Sequence, residues 1–238
     1  MNPIYRDRVE ASIEIWGNIL KRNLVKRGVV VDLLRKTYEK RGVEPIRGKT
    51  KIDIYDKEMA TLYLVGKYGL GLDEKEAPEI FGKVFRNEIL YEKAFYEVLN
   101  GLPSAEVIKK YFGKVDENVI FRVLRLGLTK TLLGWEEEGN LIKVIKSFIE
   151  SFPQYVNRLN SFIRFYIALR LAERIVNHEI RNRLEKEAYK HSMCVKFGSL
   201  KNAPPDSLVR EIAVYVFKGK EFEVNSVLNL EKGIELKG

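Results

Sequence analysis

Apolar residues recur at spacings of three and four along most of the chain, which is the pattern of amphipathic α-helices. The first apolar stripe precedes Gly28 and consists of Tyr5, Val9, Ile13, Trp16, Leu20 and Leu24. Glycines, prolines and capping residues predict further helices over about 31–41, 53–68, 78–100, 104–112, 116–133, 140–151 and 205–217. We therefore predict a predominantly α-helical protein with a multi-helix, bundle-like domain.

The stretch from Pro153 to His191 contains no glycine and no further proline, and it predicts one very long helix. At about 1.5 Å per residue this helix would span roughly 58 Å, more than the ~45 Å diameter of a compact chain of this size. We expect its first half to be buried and its end to project, presenting to an anionic partner Arg181, Arg183, Lys186 and Lys190. The alternative is a break near Asn177 that folds the end back onto the body.

The pattern changes near the C-terminus. Residues 221–224 and 234–236 alternate with a period of two, which predicts a pair of short strands beside the last helix. We therefore expect two domains, a helical body over residues 1–193 and a small α+β segment over residues 194–238. A further internal boundary is expected near residues 101–104, where Gly-Leu-Pro-Ser interrupts the helical pattern.

The composition is that of a globular chain, with 45% hydrophobic and 32% charged residues. No apolar stretch approaches the ~20 residues that cross a bilayer, and the charged N-terminus lacks an apolar signal segment. Cys194 is the single cysteine, so no intramolecular disulfide can form. These features predict a cytoplasmic protein with no membrane partner. Gln154 is the single glutamine beside abundant Lys, Glu and Arg, a bias that indicates a thermophile.

The formal net charge of +9 is concentrated in two blocks, residues 1–51 with a net +7 and residues 151–201 with a net +6. Such asymmetry indicates a surface that meets an anionic partner, most often nucleic acid. The predicted phosphate contacts are Lys21, Arg22, Lys26, Arg27, Arg47, Lys49, Lys51, Arg170, Arg174 and Arg181. The last three are spaced to share one face of the long helix. The alternative for the first four is that cations near a helix C-terminus complement its dipole.

Two motifs invite an enzymatic interpretation, and neither is complete. Residues 48–50, Gly-Lys-Thr, match the end of a phosphate-binding loop, but Val43 stands where that loop needs its first glycine, and a helix precedes it instead of a strand. Asp53, Asp56 and Glu58 form a carboxylate group of the kind that binds metal. Acids in a first helical turn also cap N–H groups and suit the dipole, which is the simpler interpretation.

Two further candidates are also interpreted as structural. His191 and Cys194 lie three residues apart, but one thiol and two histidines make a small supply of ligands for zinc or nucleophilic chemistry. Residues 104–126 have a helix–turn–helix outline, but the second helix would begin with Asp116 and Glu117, which phosphates repel. We therefore predict no catalytic residue, no metal and no cofactor.

Four short runs stand close together in residues 41–72: PIRG at 45–48, DIYDKE at 53–58, TLY at 61–63 and GKYG at 66–69. In these runs the chain resembles an uncharacterised protein family from hyperthermophilic archaea. The resemblance implies an archaeal, cytoplasmic protein. It implies no catalytic or binding residue, because that family has no assigned activity.

Together these features favour a basic protein that binds RNA or another nucleic acid through phosphates, without catalysis. A ribonucleoprotein or a protein partner is a further expectation. One alternative is a metal-dependent enzyme that acts on a nucleic-acid or phosphorylated substrate through the carboxylates at 53, 56 and 58. The other alternative is a helical scaffold that joins other proteins.

Overall fold

The computed structural model describes residues 3–45, 51–191 and 203–217, and this part of the chain is helical, with eleven α-helices and no strand. The chain divides into two compact units, residues 1–148 and 149–238. The predicted boundaries near residues 101–104 and 193–194 stay predictions. No helix in the described ranges is both long enough and apolar enough to cross a membrane.

The first unit is built around two helices, α3 and α5. Its helices are α1 Pro3–Arg22, α2 Arg27–Arg41, α3 Lys51–Leu64, α4 Pro78–Lys83, α5 Arg86–Leu99, α6 Ser104–Phe112, α7 Glu117–Leu132 and α8 Glu138–Ser151. Helix α3 packs against α1, α2, α5 and α7, and α5 packs against α4, α6 and α7. A π-helical turn, Val65–Gly69, extends α3 and also contacts α1.

Helix α1 buries only part of the face that its apolar stripe predicts, since Tyr5 and Trp16 are buried and other members of the stripe are not. Ile13 and Leu20 from that stripe are exposed, by 47% and 45%. The buried face instead runs through Arg8, Ile15 and Ile19. Arg8 sets this rotation, because its guanidinium forms a buried ion pair with a glutamate of α3.

Two predicted helix boundaries are also wrong in the first unit. Helix α1 ends at Arg22, before the predicted Gly28, because Asn23 takes a left-handed conformation with a φ of 47°. The predicted helix over 78–100 is two helices, α4 and α5, with Val84 and Phe85 between them. The interruption leaves the Val84 carbonyl outside the helical ladder, where it accepts a hydrogen bond from Arg27 at 2.7 Å.

Trp16 of α1 requires a glycine in the π-helical turn. Its indole Nε1 donates to the Leu62 carbonyl at 2.7 Å, and its ring stacks on Phe81 and Phe85. A Cβ placed on Gly66 would lie 2.2 Å from Trp16 Cζ2, well inside van der Waals contact. The close approach of the indole therefore depends on glycine at position 66.

Gly66→Ala should destabilise the first unit by about 1–3 kcal/mol, because the new methyl group overpacks the indole. The matched control is Gly17→Ala in the middle of α1, where a Cβ meets nothing within 4 Å. That variant should gain about 0.5–1 kcal/mol from helix propensity. Urea unfolding of both variants measures the difference, and equal stability for the two would contradict the Trp16 contact.

The second unit does not contain the very long helix. Helix α9 spans Val156–Glu173 and α10 spans His178–Lys190, so the predicted helix over 153–191 is wrong and the alternative break near Asn177 is confirmed. The Asn177 side chain caps the start of α10, since its oxygen accepts the N–H groups of Glu179 and Ile180. Asparagine is a strong N-cap, and no glycine or proline is needed for such a break.

Helix α10 packs back onto α9 instead of projecting from it. Leu184 and Ala188 are buried, and the Tyr189 ring lies 6.4 Å from the Phe165 ring of α9. The predicted projecting arm, with Arg181, Arg183, Lys186 and Lys190 free for a partner, is therefore wrong. Two of these cations are occupied, because Arg183 pairs with Glu211 at 2.5 Å and Lys190 pairs with Glu187.

The last described helix is confirmed where it was expected. Helix α11 spans Asp206–Phe217 and packs against α9 and α10. The two predicted strands at 221–224 and 234–236, and Cys194 with its neighbours, lie outside the described residues. The α+β character of the C-terminal segment therefore stays a prediction.

Glu185 is the unusual buried group of the second unit. Its side chain is fully buried on α10, and neither carboxylate oxygen has a hydrogen-bond partner in the part of the chain that the structure describes. Burial raises the pKa of Glu185 to about 7, the charge of Glu173 adds to this effect, and Arg181 opposes it. The group is therefore protonated in the folded protein at mildly acidic pH.

The contribution of Glu185 to the free energy of unfolding should fall by about 3 kcal/mol as the pH rises from about 4.5 to 7. Over this range the unfolded chain releases the Glu185 proton, whereas the folded protein still holds it, so the unfolded state is favoured increasingly. Glu185→Gln should lose this dependence, and Glu179→Gln, at an exposed position on the same helix, should keep it. Urea midpoints between pH 4 and 8 give the comparison, and a difference between the wild type and Glu185→Gln that does not change with pH would contradict the buried acid.

Candidate functional site

Three of the predicted cations lie free at the end of α1. Lys21 and Arg22 close this helix, Lys26 directly precedes α2, and all three side chains are exposed. None of them forms an ion pair with a described residue. We refer to residues 21–26 as the basic turn.

Arg27, which follows the basic turn, is occupied by carboxylates. Its guanidinium donates to Asp56 Oδ1 at 2.7 Å and to both oxygens of Glu88 at 2.8 Å, and a further N–H bonds the Val84 carbonyl. Arg122 lies 4.0 Å from the other oxygen of Asp56. The structure therefore gives Arg27 a role in the fold, since it ties the start of α2 to α3 and α5.

The remaining predicted cations lie outside the basic turn. Arg47 and Lys49 lie outside the described residues, and Lys51 begins α3 with a side chain that is not described. Arg170 donates to Glu173 at 2.8 Å and to the Tyr166 hydroxyl. Because α9 ends before Arg174 while Arg181 lies on α10, the prediction that these arginines share one helical face is wrong.

The two described carboxylates of the predicted metal group, Asp56 and Glu58, are both held by arginines. Asp56 is held by the arginines described above, whereas Glu58 is buried, lies 3.4 Å from Arg8 and accepts the Tyr38 hydroxyl at 3.2 Å. The side chain of Asp53 is not described. Among the described residues no group of three or more His, Cys, Asp or Glu could hold a metal ion.

The sequence analysis missed a buried charged cluster around Glu92 of α5. One oxygen of this carboxylate accepts Tyr63 Oη and Lys67 Nζ, each at 2.6 Å. The other oxygen accepts the Tyr68 hydroxyl, and Lys130 Nζ at 3.2 Å. These donors come from α3, the π-helical turn and α7, so a single side chain joins three elements to α5.

Lys130 completes the cluster from α7. It is 2% exposed, and its three N–H groups have acceptors in Glu92, Tyr96 and Tyr68, the last at 2.8 Å. The Tyr96 hydroxyl in turn donates to Glu136 at 2.5 Å. The ammonium also lies over the rings of Tyr68 and Tyr96, with centroid distances of 4.2 and 4.4 Å.

Burial and neighbouring charges shift the pKa values in this cluster, downward for Glu92 and Lys130 and upward for Tyr63. Burial by itself would raise the pKa of Glu92, but hydrogen bonds from Lys67, Tyr63 and Tyr68 outweigh it and hold the pKa below its usual value. Burial lowers the pKa of Lys130, although Glu92 and Glu136 oppose this effect. The phenol pKa of Tyr63 is raised, mainly by burial and by the charge of Glu92.

The sequence carried only a weak signal for this cluster. Tyr63 and Lys67 are separated by four residues, as are Glu92 and Tyr96, so each pair projects from one helical face. The pairs lie about 30 residues apart in the chain, and nothing in the sequence showed that the two faces meet. The π-helical turn, which places Lys67, has no simple sequence signature.

The described residues thus define an all-helical protein with an exposed basic turn and a buried lysine–glutamate cluster. The chain belongs to a family described as an uncharacterized protein conserved in archaea (DUF2192), and the family model matches residues 2–228. The predicted archaeal family is therefore confirmed over almost the whole chain, well beyond residues 41–72. No curated protein and no solved structure matches the chain.

Arg27→Met should destabilise the protein by about 2–3 kcal/mol, because it leaves Glu88 buried without its cation. The cost is lower than for a fully buried pair, since the Arg27 side chain is 24% exposed. Arg86→Met is the matched control. Arg86 is exposed on the same turn of α5 as Glu88 and forms no ion pair with a described residue. Its effect should stay within about 0.5 kcal/mol in urea unfolding. Equal losses in the two variants would contradict the structural role of Arg27.

Proposed function

We propose that the protein binds RNA or another nucleic acid through the basic turn, without catalysing a reaction. The observation that carries this proposal is the set of exposed cations Lys21, Arg22 and Lys26, none of which pairs with a described residue. By contrast, Lys40 and Arg41 at the other end of α2 pair with Glu10 and Glu14. Cations without a carboxylate partner are available for phosphates.

The start of α2 supports the same proposal. Its N-cap residue, Lys26, makes no side-chain capping bond, and Gly28 is exposed with open space around its Cα. An uncapped helix N-terminus offers backbone N–H groups and a partial positive charge to an anion. A phosphate at this position would meet the backbone N–H groups at the start of α2. It would also meet the cations of the basic turn, which are two ammonium groups and one guanidinium group.

The Arg27 ion pairs provide the rigidity that such a contact needs. Arg27 lies one residue after the basic turn and is fixed by Asp56 of α3 and Glu88 of α5. Holding the adjacent turn in place lowers the entropy that is lost when the turn binds a partner. Arg27 therefore contributes to binding by positioning the turn, whereas Lys21, Arg22 and Lys26 contact phosphates.

Binding should weaken steeply with salt, because each neutralised phosphate releases counterions and adds about −0.9 to the slope of log K against log salt on duplex DNA, or about −0.7 on single strands. The triple variant Lys21→Gln, Arg22→Gln and Lys26→Gln should reduce the magnitude of this slope by about 2–3. Fluorescence anisotropy with single-stranded RNA, duplex RNA and duplex DNA over a salt series measures it.

A matched control keeps the change in net charge equal. Lys109, Lys114 and Lys143 are exposed, lie outside the basic turn and form no ion pair with a described residue. Their triple glutamine variant should retain the wild-type slope to within about one unit. Absence of binding to every nucleic acid at low salt, or the same slope in the two triple variants, would overturn the proposal.

A further inference from the structure

A cavity of about 340 Å³ opens beside the π-helical turn in the first unit. Its lining includes Tyr63 and Phe81, each only 1% exposed, together with the polar residues Lys67 and 73–75. The volume lies at the lower end of the range for small-molecule sites, about 300–1,000 Å³. The cavity shares no residue with the basic turn, so its occupant is a question separate from nucleic-acid binding.

Lys67 offers one unused hydrogen-bond donor at this cavity. Its ammonium has three N–H groups, of which one donates to Glu92 at 2.6 Å and one to the Tyr63 hydroxyl at 3.3 Å. The side chain is 36% exposed, in contrast to the fully enclosed Lys130 of the same cluster. The π-helical turn fixes this position, and such turns are frequent at functional sites.

The mouth of the cavity carries charges of both signs. Asp73 Oδ1 accepts the backbone N–H groups of Lys75 at 2.6 Å and Glu76 at 3.2 Å, which holds this turn in one conformation. The side chains of Glu74 and Lys75 are exposed, and neither forms an ion pair with a described residue. Glu74 and Lys75 thus place a carboxylate and an ammonium at adjacent positions of the cavity lining.

We infer that this cavity binds a small zwitterion of the amino-acid class. The ligand carboxylate lies against Lys67 and Lys75, and its ammonium lies against Glu74. The lining contains two cations and two carboxylates, so a ligand with one charge of each sign is matched. A phosphate-rich ligand would meet the repulsion of Asp73 and Glu74, and a simple amine would meet that of the two lysines.

The first experiment is a thermal-shift screen of the purified protein with each of the twenty standard L-amino acids at millimolar concentration. At least one should raise the melting temperature, because a ligand that binds only the folded state stabilises it. Titration calorimetry then compares the best amino acid with its decarboxylated amine and with its deaminated acid. Each analogue should bind at least about tenfold more weakly, since each lacks one charge-assisted contact.

Variants at the mouth locate the site without disturbing the buried cluster. Glu74→Gln and Lys75→Gln should each weaken binding of the best amino acid about tenfold. Glu74→Gln should also reduce the preference for the amino acid over its deaminated acid. Lys83→Gln is the matched control, at an exposed lysine of α4 outside the cavity lining, and it should bind as the wild type does.

Three outcomes overturn the inference. The first is that no amino acid stabilises or binds the protein. The second is that the amine or the acid alone binds as tightly as the amino acid. The third is that Glu74→Gln and Lys75→Gln both bind like the wild type. Nucleic-acid binding by the same variants stays at the wild-type level in every case, because the basic turn is intact.

Discussion

The carboxylate of Glu92 accepts four hydrogen bonds, and the packing of the first unit depends on them. Two tyrosine hydroxyls and two lysine ammonium groups from α3, the π-helical turn and α7 meet at this one side chain of α5. An ionised carboxylate has about four acceptor positions, so none is left unused in the interior. A buried charge is tolerated only when it is satisfied in this way, and the two lysines balance Glu92 and Glu136.

Helix α5 carries a second buried glutamate one turn earlier. Glu88 binds Arg27 and thereby fixes the start of α2 and the basic turn, while Glu92 binds Lys67 and thereby fixes the wall of the cavity. The proposed nucleic-acid contact and the inferred amino-acid site are therefore positioned from one helix. Their chemistry is separate, because the two sites share no residue, although Lys67 belongs both to the Glu92 cluster and to the cavity lining.

Much of the helical content could be predicted from the sequence, because local signals define it. Asp116 caps α7 by accepting the N–H of Asn118, and Gly42 ends α2 with a left-handed φ of 64°, as a capping residue and a terminal glycine should. The break at Asn177 was harder to place, because an apolar stripe with helical spacing continues across it. Asparagine is compatible with either structure until tertiary packing decides.

The buried charges could not be predicted, because they depend on contacts between distant parts of the chain. Arg8, Arg27 and Lys130 each occur in stretches that carry other cations, and the sequence does not tell a buried cation from an exposed one. Arg27 was therefore grouped with Lys21, Arg22 and Lys26 as a phosphate contact. The same limitation explains the face of α1, since burial of Arg8 outweighs the stripe through Ile13 and Leu20.

The most direct test of this account is the pKa of Glu92, measured by ¹³C NMR titration of the carboxyl carbons in the whole protein, with Glu92→Gln to assign the resonance. A carboxylate that accepts four hydrogen bonds should titrate below the ~4.3 of a free glutamate. A buried carboxylate without these donors would titrate above that value, because burial disfavours its charged form. A raised pKa would therefore contradict the central role of Glu92, and a lowered one is what the four hydrogen bonds require.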